Sequence, residues 1–161
     1  MAPEIVQAGG FMVVGIAIRT SNLQEMTPNA QIGNHWARFF RDKWLEKIPD
    51  KADSDILAVY TDYASNQDGE YTLLIGARVQ QIKGNLPAGL VVKGVPPINF
   101  ARFRTGTGPV SRVVPETWTR VWASTEPELG GSRAYRADFE VYDQRARDPQ
   151  NAEVDIYIGI R

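Results

Sequence analysis

Two stretches of the chain resemble each other, and this internal repeat is the feature that most constrains the fold. Residues 58–63 read AVYTDY and residues 137–142 read ADFEVY; each is followed by a similar phrase, LIGA at 74–77 and YIGI at 157–160. A repeat of this length marks a duplicated structural unit. Ligand sites commonly lie where two such units meet, so the repeat predicts a cleft between the halves.

Hydrophobic periodicity and turn signals predict the same order of elements in each copy: strand, helix, strand, strand. In the first copy the expected elements are a strand at 11–20, a helix from 27 to about 47 and two strands at 56–63 and 70–80. In the second copy they are a strand at 98–105, a helix at 114–125 and two strands at 133–143 and 152–161. Thr27 is the expected cap of the first helix, and Asp68-Gly69 is the expected hairpin turn with positive φ.

The predicted fold class is therefore α+β. It is a pseudo-twofold duplication of a β-α-β-β module, with an antiparallel sheet, two helices packed on it and a central ligand cleft. The repeats extend over about 11–80 and about 90–161, and 161 residues form a single domain of ordinary size. No glycine-serine linker or block of charge separates the halves.

Charge and composition exclude several classes of function. Lys and Arg number 18 against 19 Asp and Glu, which argues against a direct nucleic-acid surface or a polybasic membrane anchor. The sequence has no apolar run of about 18 residues and no signal peptide at its start, so the expected location is the cytoplasm. It has no Cys and a single His, His35, so we expect neither a metal nor another cofactor.

Strand alternation places the candidate site residues on faces of the sheet. Glu140 and Tyr142 share one face of their strand. One face of the last strand is entirely aliphatic (Val154, Ile156, Ile158, Ile160) and should lie under a helix. Tyr157 then lies on the opposite face, which we expect to be the face of Glu140. Aligning the two repeats on their first Ala and last Tyr matches Thr61 and Tyr63 with Glu140 and Tyr142, so both are expected to face the cleft.

Three tryptophans of the two predicted helices, Trp36, Trp118 and Trp122, are placed to wall this cleft. A carboxylate among aromatic rings suits a lipophilic cation, because ring faces and a nearby negative charge replace the hydration that the cation loses. A buried carboxyl also has a raised pKa, and such a group can act as a general acid or base. The simpler alternatives remain open: Glu140 on a solvent-facing side of a strand, and the Trp stripe as ordinary core.

The chain resembles the GyrI-like small-molecule-binding domains, also called AraC-type effector-binding domains, and is most similar to their stand-alone, integron-cassette branch. The resemblance extends from about Phe11 to the end of the chain. It rests on the order and spacing of Val13-Val14-Gly15-Ile16, Arg19-Thr20-Ser21-Asn22, Ile32, Trp36, the 58–63 and 69–76 segments, Trp118, Trp122, Phe139-Glu140-Val141-Tyr142 and Asp155-Ile156-Tyr157-Ile158.

The resemblance implies a cleft that binds bulky, often cationic aromatic compounds, as multidrug-binding relatives do. The central Glu of the family's Phe-Glu-x-Tyr strand corresponds to Glu140, and its aromatic residues correspond to Tyr142, Tyr157, Trp118, Tyr63 and Trp36. Many relatives are joined to a DNA-reading domain, for which this chain is expected to have no room, so a separate transcription regulator is one candidate partner.

The sequence thus favours a stand-alone effector-binding protein that captures lipophilic cationic compounds. Two alternatives stay open: a hydrolase that acts on strained electrophilic molecules with Glu140, and a protein-interaction module of the gyrase-inhibitor kind.

Overall fold

The computed structural model describes residues 2–161, in which eight strands form one antiparallel sheet. The strands are β1 Glu4–Ala8, β2 Phe11–Ser21, β3 Ile56–Thr61, β4 Glu70–Val79, β5 Val91–Val95, β6 Ile98–Arg104, β7 Ala137–Tyr142 and β8 Asp155–Ile160. The helices are α1 Asn22–Glu25, α2 Ile32–Arg41, α3 Trp44–Lys47, α4 Val110–Ala123 and α5 Glu126–Leu129, with a 3-10 turn at Gln144–Ala146. Among these described residues, no helix is long and apolar enough to cross a bilayer.

The connection between β1 and β2 forces the sheet to curl. The strand order is β1-β6-β8-β7-β3-β4-β2-β5, so these consecutive strands lie six positions apart. In a flat sheet that separation would be about 29 Å, because neighbouring strands lie ~4.8 Å apart. The two-residue connection Gly9-Gly10 spans only about 10 Å. The two ends of the sheet therefore approach each other, and the Gly10 N–H donates to the Val95 carbonyl at 2.7 Å.

The curled sheet buries a core on each face. The inner face is covered by strands alone and is built from Val13, Leu57, Val59, Leu74, Val95, Phe100, Ala137, Phe139 and Val141. On the outer face, α2 packs on β2, β3 and β4 through Phe39 and Trp36, and α4 packs on β6 and β8 through Trp118 and Val121. The two helices cover different halves of the sheet. The central strands β3 and β7 lie between them and pair antiparallel over six residues each.

The predicted fold class and module order are confirmed, but the prediction missed one strand in each half. β1 and β5 precede the two modules, and each pairs with the other module: β1 with β6, and β5 with β2. The sequence places β5 within a Gly- and Pro-rich stretch that predicts a connector. Because both strands are short and lie at the sheet edges, their pairing depends on contacts distant in sequence.

The single first helix predicted from residue 27 to about 47 is wrong. It is divided into α2 and α3 by Lys43, whose φ of 53° lies in the left-handed region. Thr27 does not cap it. The carboxylate of Glu25 instead accepts hydrogen bonds from the N–H groups of Gln31 (3.0 Å) and Ile32 (3.0 Å), which satisfies the exposed donors at the start of α2.

Other boundaries also differ from the predictions. α4 begins at Val110, so Pro115 lies inside the helix instead of in its first turn. The last two strands begin at Ala137 and Asp155, four and three residues later than predicted. The hairpin of β3 and β4 is confirmed, but the left-handed residue near its turn is Asp62 (φ 52°) instead of Gly69.

Gly15 and Gly76 face each other across β2 and β4, and neither site has room for a methyl group. A Cβ on Gly76 would lie 1.9 Å from the Val14 carbonyl oxygen. We expect Gly76→Ala to lower the free energy of unfolding by about 1–3 kcal/mol, because the paired backbones must separate. Urea denaturation measures this change. Gly94→Ala is the control, since its Cβ would meet no atom within 4 Å; equal midpoints for the two variants would contradict the prediction.

Candidate ligand-binding site

A cavity of about 670 Å³ opens on the outer face of the sheet, where α1 and the start of α2 meet α4. It is lined by Asn22, Glu25, Met26, Ile32, Tyr60, Tyr63, Gln67, Asp68, Tyr71, Val114, Pro115, Trp118, Trp122 and Arg133. Both modules contribute to it: β3, β4 and the first helices come from one, and α4 and Arg133 come from the other. The cavity therefore lies at the junction of the repeats, and its size is that of a typical small-molecule site.

Five aromatic rings form the principal wall. Tyr60 packs against Trp118 with ring centres 5.1 Å apart and against Tyr71 at 5.5 Å. Tyr63 lies 5.9 Å from Tyr71, and Trp118 lies 6.1 Å from Trp122. Trp118 is 8% exposed, whereas Trp122, one helical turn later, is 44% exposed. The rings thus extend from the cavity floor to its mouth and provide a continuous aromatic surface.

The left-handed Asp62 allows Tyr60 and Tyr63 to line the same cavity. Residues three apart on a regular strand point to opposite faces. Asp62 has φ 52°, and β3 ends at Thr61, so the alternation is broken between the two tyrosines. Asp tolerates this conformation better than most residues. Its carboxylate is also held by Lys93 at 2.7 Å.

Glu140 lies on β7 directly behind the aromatic wall and is 1% exposed. Its carboxylate accepts three hydrogen bonds: from the Tyr60 hydroxyl at 2.9 Å, from Trp118 Nε1 at 2.7 Å and from the Tyr142 hydroxyl at 2.6 Å. All three donors are neutral, and no cationic side chain in the described part of the chain forms an ion pair with Glu140. The carboxylate is therefore held in place but not neutralised.

Burial raises the pKa of Glu140 above its ordinary value, although the three hydrogen bonds act in the opposite direction. Burial and the neighbouring carboxylate also raise the pKa of the Tyr60 and Tyr142 hydroxyls well above their ordinary value. Both hydroxyls consequently remain protonated donors at neutral pH. The site can hold either a proton or a nearby cation against the Glu140 carboxylate.

A second acid, Asp138, lies two residues earlier on the same face of β7 and is fully buried. In contrast to Glu140, it forms an ion pair: Arg133 Nη2 lies 2.6 Å from its Oδ2. The Tyr63 hydroxyl also donates to Oδ2, and the Gly159 N–H donates to Oδ1 at 2.8 Å. The guanidinium of Arg133 lies over the Tyr135 ring at 4.5 Å and contributes to the cavity lining.

The structure brings together most of the residues singled out by the sequence. Trp118, Trp122 and Tyr63 line the cavity, and Glu140 and Tyr142 lie immediately behind its wall. Trp36 does not line it, because its ring packs on Tyr142 with centres 4.9 Å apart. Trp36 thus supports the residue that donates to Glu140.

The prediction that Tyr157 and Thr61 share a face with Glu140 is wrong. Tyr157 does lie opposite the helix-covered face of β8, as predicted, but Glu140 pairs with Ile156 and lies on the helix-covered face itself. The register pairs Phe139 with Tyr157, and the two rings stack at 4.4 Å on the inner face of the sheet, away from Glu140. Thr61 likewise points away from the cavity and donates to the Arg136 carbonyl at 2.8 Å. Two residues on neighbouring strands share a face only if the register places them opposite each other or an even number of residues apart, and the sequence does not reveal that register.

The residues of the site that sequence reasoning missed include Tyr60, Tyr71, Asp138 and Arg133. Alignment of the repeats by identity matched Tyr60 with Phe139 and so assigned it to the wrong face. In the sheet, Ala58 pairs with Glu140 and Tyr60 with Asp138. The alternation of acids in the second repeat, Asp138 and Glu140, was a signal that both project to the same side.

The duplicated, curled sheet is that of a family of effector-binding proteins. The family model described as "Integron-associated effector binding protein", Cass2, matches residues 4–160. The chain belongs to this Cass2 family of integron-associated effector-binding proteins.

Comparisons with individual proteins agree with this assignment. YobU of Bacillus subtilis (strain 168), which carries a provisional transcriptional-regulator name, is 32% identical over 148 residues, covering 91% of this chain and 90% of YobU. The transcriptional regulator BrlR of Pseudomonas aeruginosa (strain PAO1) is 32% identical over 163 residues, covering 99% of this chain. The chain spans only 56% of the length of BrlR.

Two solved structures share the fold. The integron cassette protein VCH_CASS2 of Vibrio cholerae superposes with a TM-score of 0.74 at 29% identity, covering 99% of this chain and 96% of that one. The structure of SAV2435 bound to tetraphenylphosphonium has a TM-score of 0.79 at 16% identity, covering 100% and 94%. At that lower identity the likeness shows the fold alone.

Proposed function

We propose that this protein captures lipophilic aromatic cations in the cavity, with Glu140 as their counter-charge. The observation that carries the proposal is a carboxylate with 1% exposure that is held only by neutral donors and lies directly behind an aromatic wall. Such a group has a fixed position and no cation of its own. A positively charged guest supplies the missing partner.

The energetics favour a bulky guest over a hydrated metal or ammonium ion. A large organic cation loses little hydration on entering an apolar cavity, and each aromatic face that it contacts contributes ~0.5–2 kcal/mol. The charge of Glu140 acts through a medium of low polarity, which strengthens its attraction for the guest. The tyrosine hydroxyls and the indole N–H keep that charge oriented without cancelling it.

Two comparisons support a regulatory use of this binding. SAV2435, which has the same fold, holds tetraphenylphosphonium, a lipophilic cation. YobU and BrlR carry transcriptional-regulator names. We therefore propose that the bound cation is an effector and that a separate regulator receives the signal.

Titration with a size-matched pair of compounds tests the binding function. Methyltriphenylphosphonium is a cation, and triphenylphosphine oxide is a neutral molecule with the same three phenyl groups. Quenching of Trp118 and Trp122 fluorescence should give a dissociation constant at least about tenfold lower for the cation, because only the cation gains from the carboxylate. Equal affinities for the two compounds, or no binding of either, would reject the proposal.

Cation affinity should also fall as the pH is lowered. Because burial raises the pKa of Glu140, the carboxyl becomes neutral at a higher pH than an exposed Glu, and the counter-charge is then lost. The stability of the ligand-free protein changes in the opposite sense: the raised pKa stabilises the fold at low pH, and this contribution is lost as pH rises through it. Methyltriphenylphosphonium titrations between pH 8 and pH 5 measure the effect on binding. Pairing them with Glu140→Gln, whose affinity should not vary with pH, isolates this residue.

A further inference from the structure

Two buried carboxylates stand side by side near the cavity, and only one of them is neutralised. Asp138 and Glu140 share a face of β7 and lie two positions apart in the strand, which places their Cα atoms about 7 Å apart. Asp138 is 0% exposed and Glu140 is 1% exposed. Arg133 pairs with Asp138 at 2.6 Å, whereas the partners of Glu140 are neutral hydroxyl and indole groups.

Arg133 is placed to affect what the cavity admits. Its side chain is 8% exposed and belongs to the cavity lining, so its guanidinium is a fixed positive charge at the cavity wall. Among residues 2–161, its buried Nε has no hydrogen-bond partner. The guanidinium is held at one edge by Asp138 and on one face by Tyr135. The guanidinium of Arg133 is therefore a permanent positive charge at the cavity wall, present whether or not a ligand is bound.

We propose that Arg133 is a built-in cation that occupies the second anionic position of the site and thereby restricts the cavity to ligands with a single positive charge. This inference rests on the proposed function. A monocation pairs with Glu140 and leaves the Arg133–Asp138 pair undisturbed. A dication of the same shape places its second positive charge near the guanidinium of Arg133. The carboxylate of Asp138 is already paired with that guanidinium, so the two positive charges repel each other strongly.

The proposal makes Arg133 a determinant of specificity and predicts a gain of function on its removal. In Arg133→Met, Asp138 keeps only the Tyr63 hydroxyl and the Gly159 N–H as partners. The site then contains two buried, unneutralised carboxylates spaced along one strand, in addition to the half-buried carboxylate of Glu25, which is engaged by the N–H groups at the start of α2. A rigid dication is the guest that matches them.

Competition against tetraphenylphosphonium tests this selection with two rigid probes of nearly the same shape. N-methyl-4-phenylpyridinium carries one positive charge, and N,N'-dimethyl-4,4'-bipyridinium carries one at each end. The wild-type protein should favour the monocation by about tenfold or more. In Arg133→Met the ratio should shift toward the dication by about tenfold or more. The change in cavity shape caused by the smaller Met side chain affects both probes alike. It therefore cancels when the ratio of the two affinities is compared between the variant and the wild-type protein.

Two further variants separate charge from shape. Arg133→Lys keeps a cation beside Asp138 and should retain the wild-type preference. The double variant Arg133→Met/Asp138→Asn removes both charges and should also retain it, because replacing a whole buried ion pair leaves no unpaired charge. If Arg133→Met does not fold alone, circular dichroism should show that the dication restores its folded signal at a lower concentration than the monocation does.

The outcomes distinguish this inference from the proposed function. If tetraphenylphosphonium does not bind the wild-type protein, the proposed function fails and the inference fails with it. If tetraphenylphosphonium binds but the two probes compete with equal affinity, whatever that affinity is, only the charge selection by Arg133 is overturned. An unchanged ratio in Arg133→Met, or no difference between the probes in restoring its fold, overturns it as well.

Discussion

Glu140→Gln should bind methyltriphenylphosphonium more weakly than the wild-type protein by about 1–3 kcal/mol, which is about 5- to 150-fold in dissociation constant. The substitution keeps the shape of the side chain and one acceptor oxygen for Tyr60, Trp118 or Tyr142. It removes a fully buried negative charge that has no cationic partner among residues 2–161. Fluorescence titration or calorimetry measures the change.

The matched controls for this variant are a neutral ligand and a solvent-exposed charge outside the cavity lining. Triphenylphosphine oxide should bind Glu140→Gln and the wild-type protein with similar affinity, because it never uses the carboxylate. Glu116→Gln removes a carboxylate from an exposed position of α4 and should leave the affinity for the cation unchanged. If Glu140→Gln binds the cation as tightly as the wild-type protein does, the counter-charge role of Glu140 is wrong.

Asp138→Asn should have the largest effect on stability, a loss of about 3–5 kcal/mol in the free energy of unfolding. The amide cannot neutralise Arg133, whose side chain is 8% exposed and cannot regain full hydration. Its nitrogen would also face the hydroxyl of Tyr63 or the N–H of Gly159, which donate to the carboxylate in the native protein. Urea denaturation at neutral pH without ligand measures the change.

An exposed ion pair provides the comparison. Asp42→Asn breaks the pair between Asp42 and Arg41, which lie 3.0 Å apart at the surface. Because solvent screens this pair, its loss should leave the unfolding midpoint unchanged within error. Similar midpoints for Asp138→Asn and Asp42→Asn would show that the Arg133–Asp138 pair does not hold β7 to the rest of the site.

The two acids of β7 illustrate how neighbouring positions acquire different roles. Asp138 is bound by a cation, a hydroxyl and a backbone N–H, and it fixes Arg133 at the cavity wall. Glu140 is bound by neutral donors only and keeps its charge available. One strand thus presents a satisfied acid and an unsatisfied acid on the same face. The difference arises from residues that other segments bring to them.

Much of the fold could be predicted because local patterns agree with it. Hydrophobic alternation identified β2, β3, β4 and β6, and helical spacing identified the apolar faces of α2 and α4. Predictions failed where distant contacts override local preference. β5 lies in a stretch rich in Gly and Pro but pairs with β2, and Lys43 adopts a left-handed conformation that ends α2.

The sequence predicted a carboxylate among aromatic rings, but it did not predict every residue that forms the site. Glu140, Tyr142, Trp118 and Trp122 follow from strand alternation and helical spacing. Tyr60 and Thr61 were assigned to the wrong faces, because the alignment of the repeats was displaced by one residue relative to the sheet. Tyr157 was expected to share a face with Glu140, but it pairs with Phe139 on the inner face. A displacement of one residue inverts every face assignment in a strand.

The sequence by itself determined the duplicated α+β plan, the family and the central acid, because repetition, periodicity and composition are properties of the linear chain. Only the tertiary structure decided which side chains surround that acid. It set the register of β3 against β7, the turn at Asp62 that brings Tyr63 beside Tyr60, and the pairing of Arg133 with Asp138. These depend on contacts between residues far apart in sequence, where pairing geometry and burial, not local preference, determine the free energy.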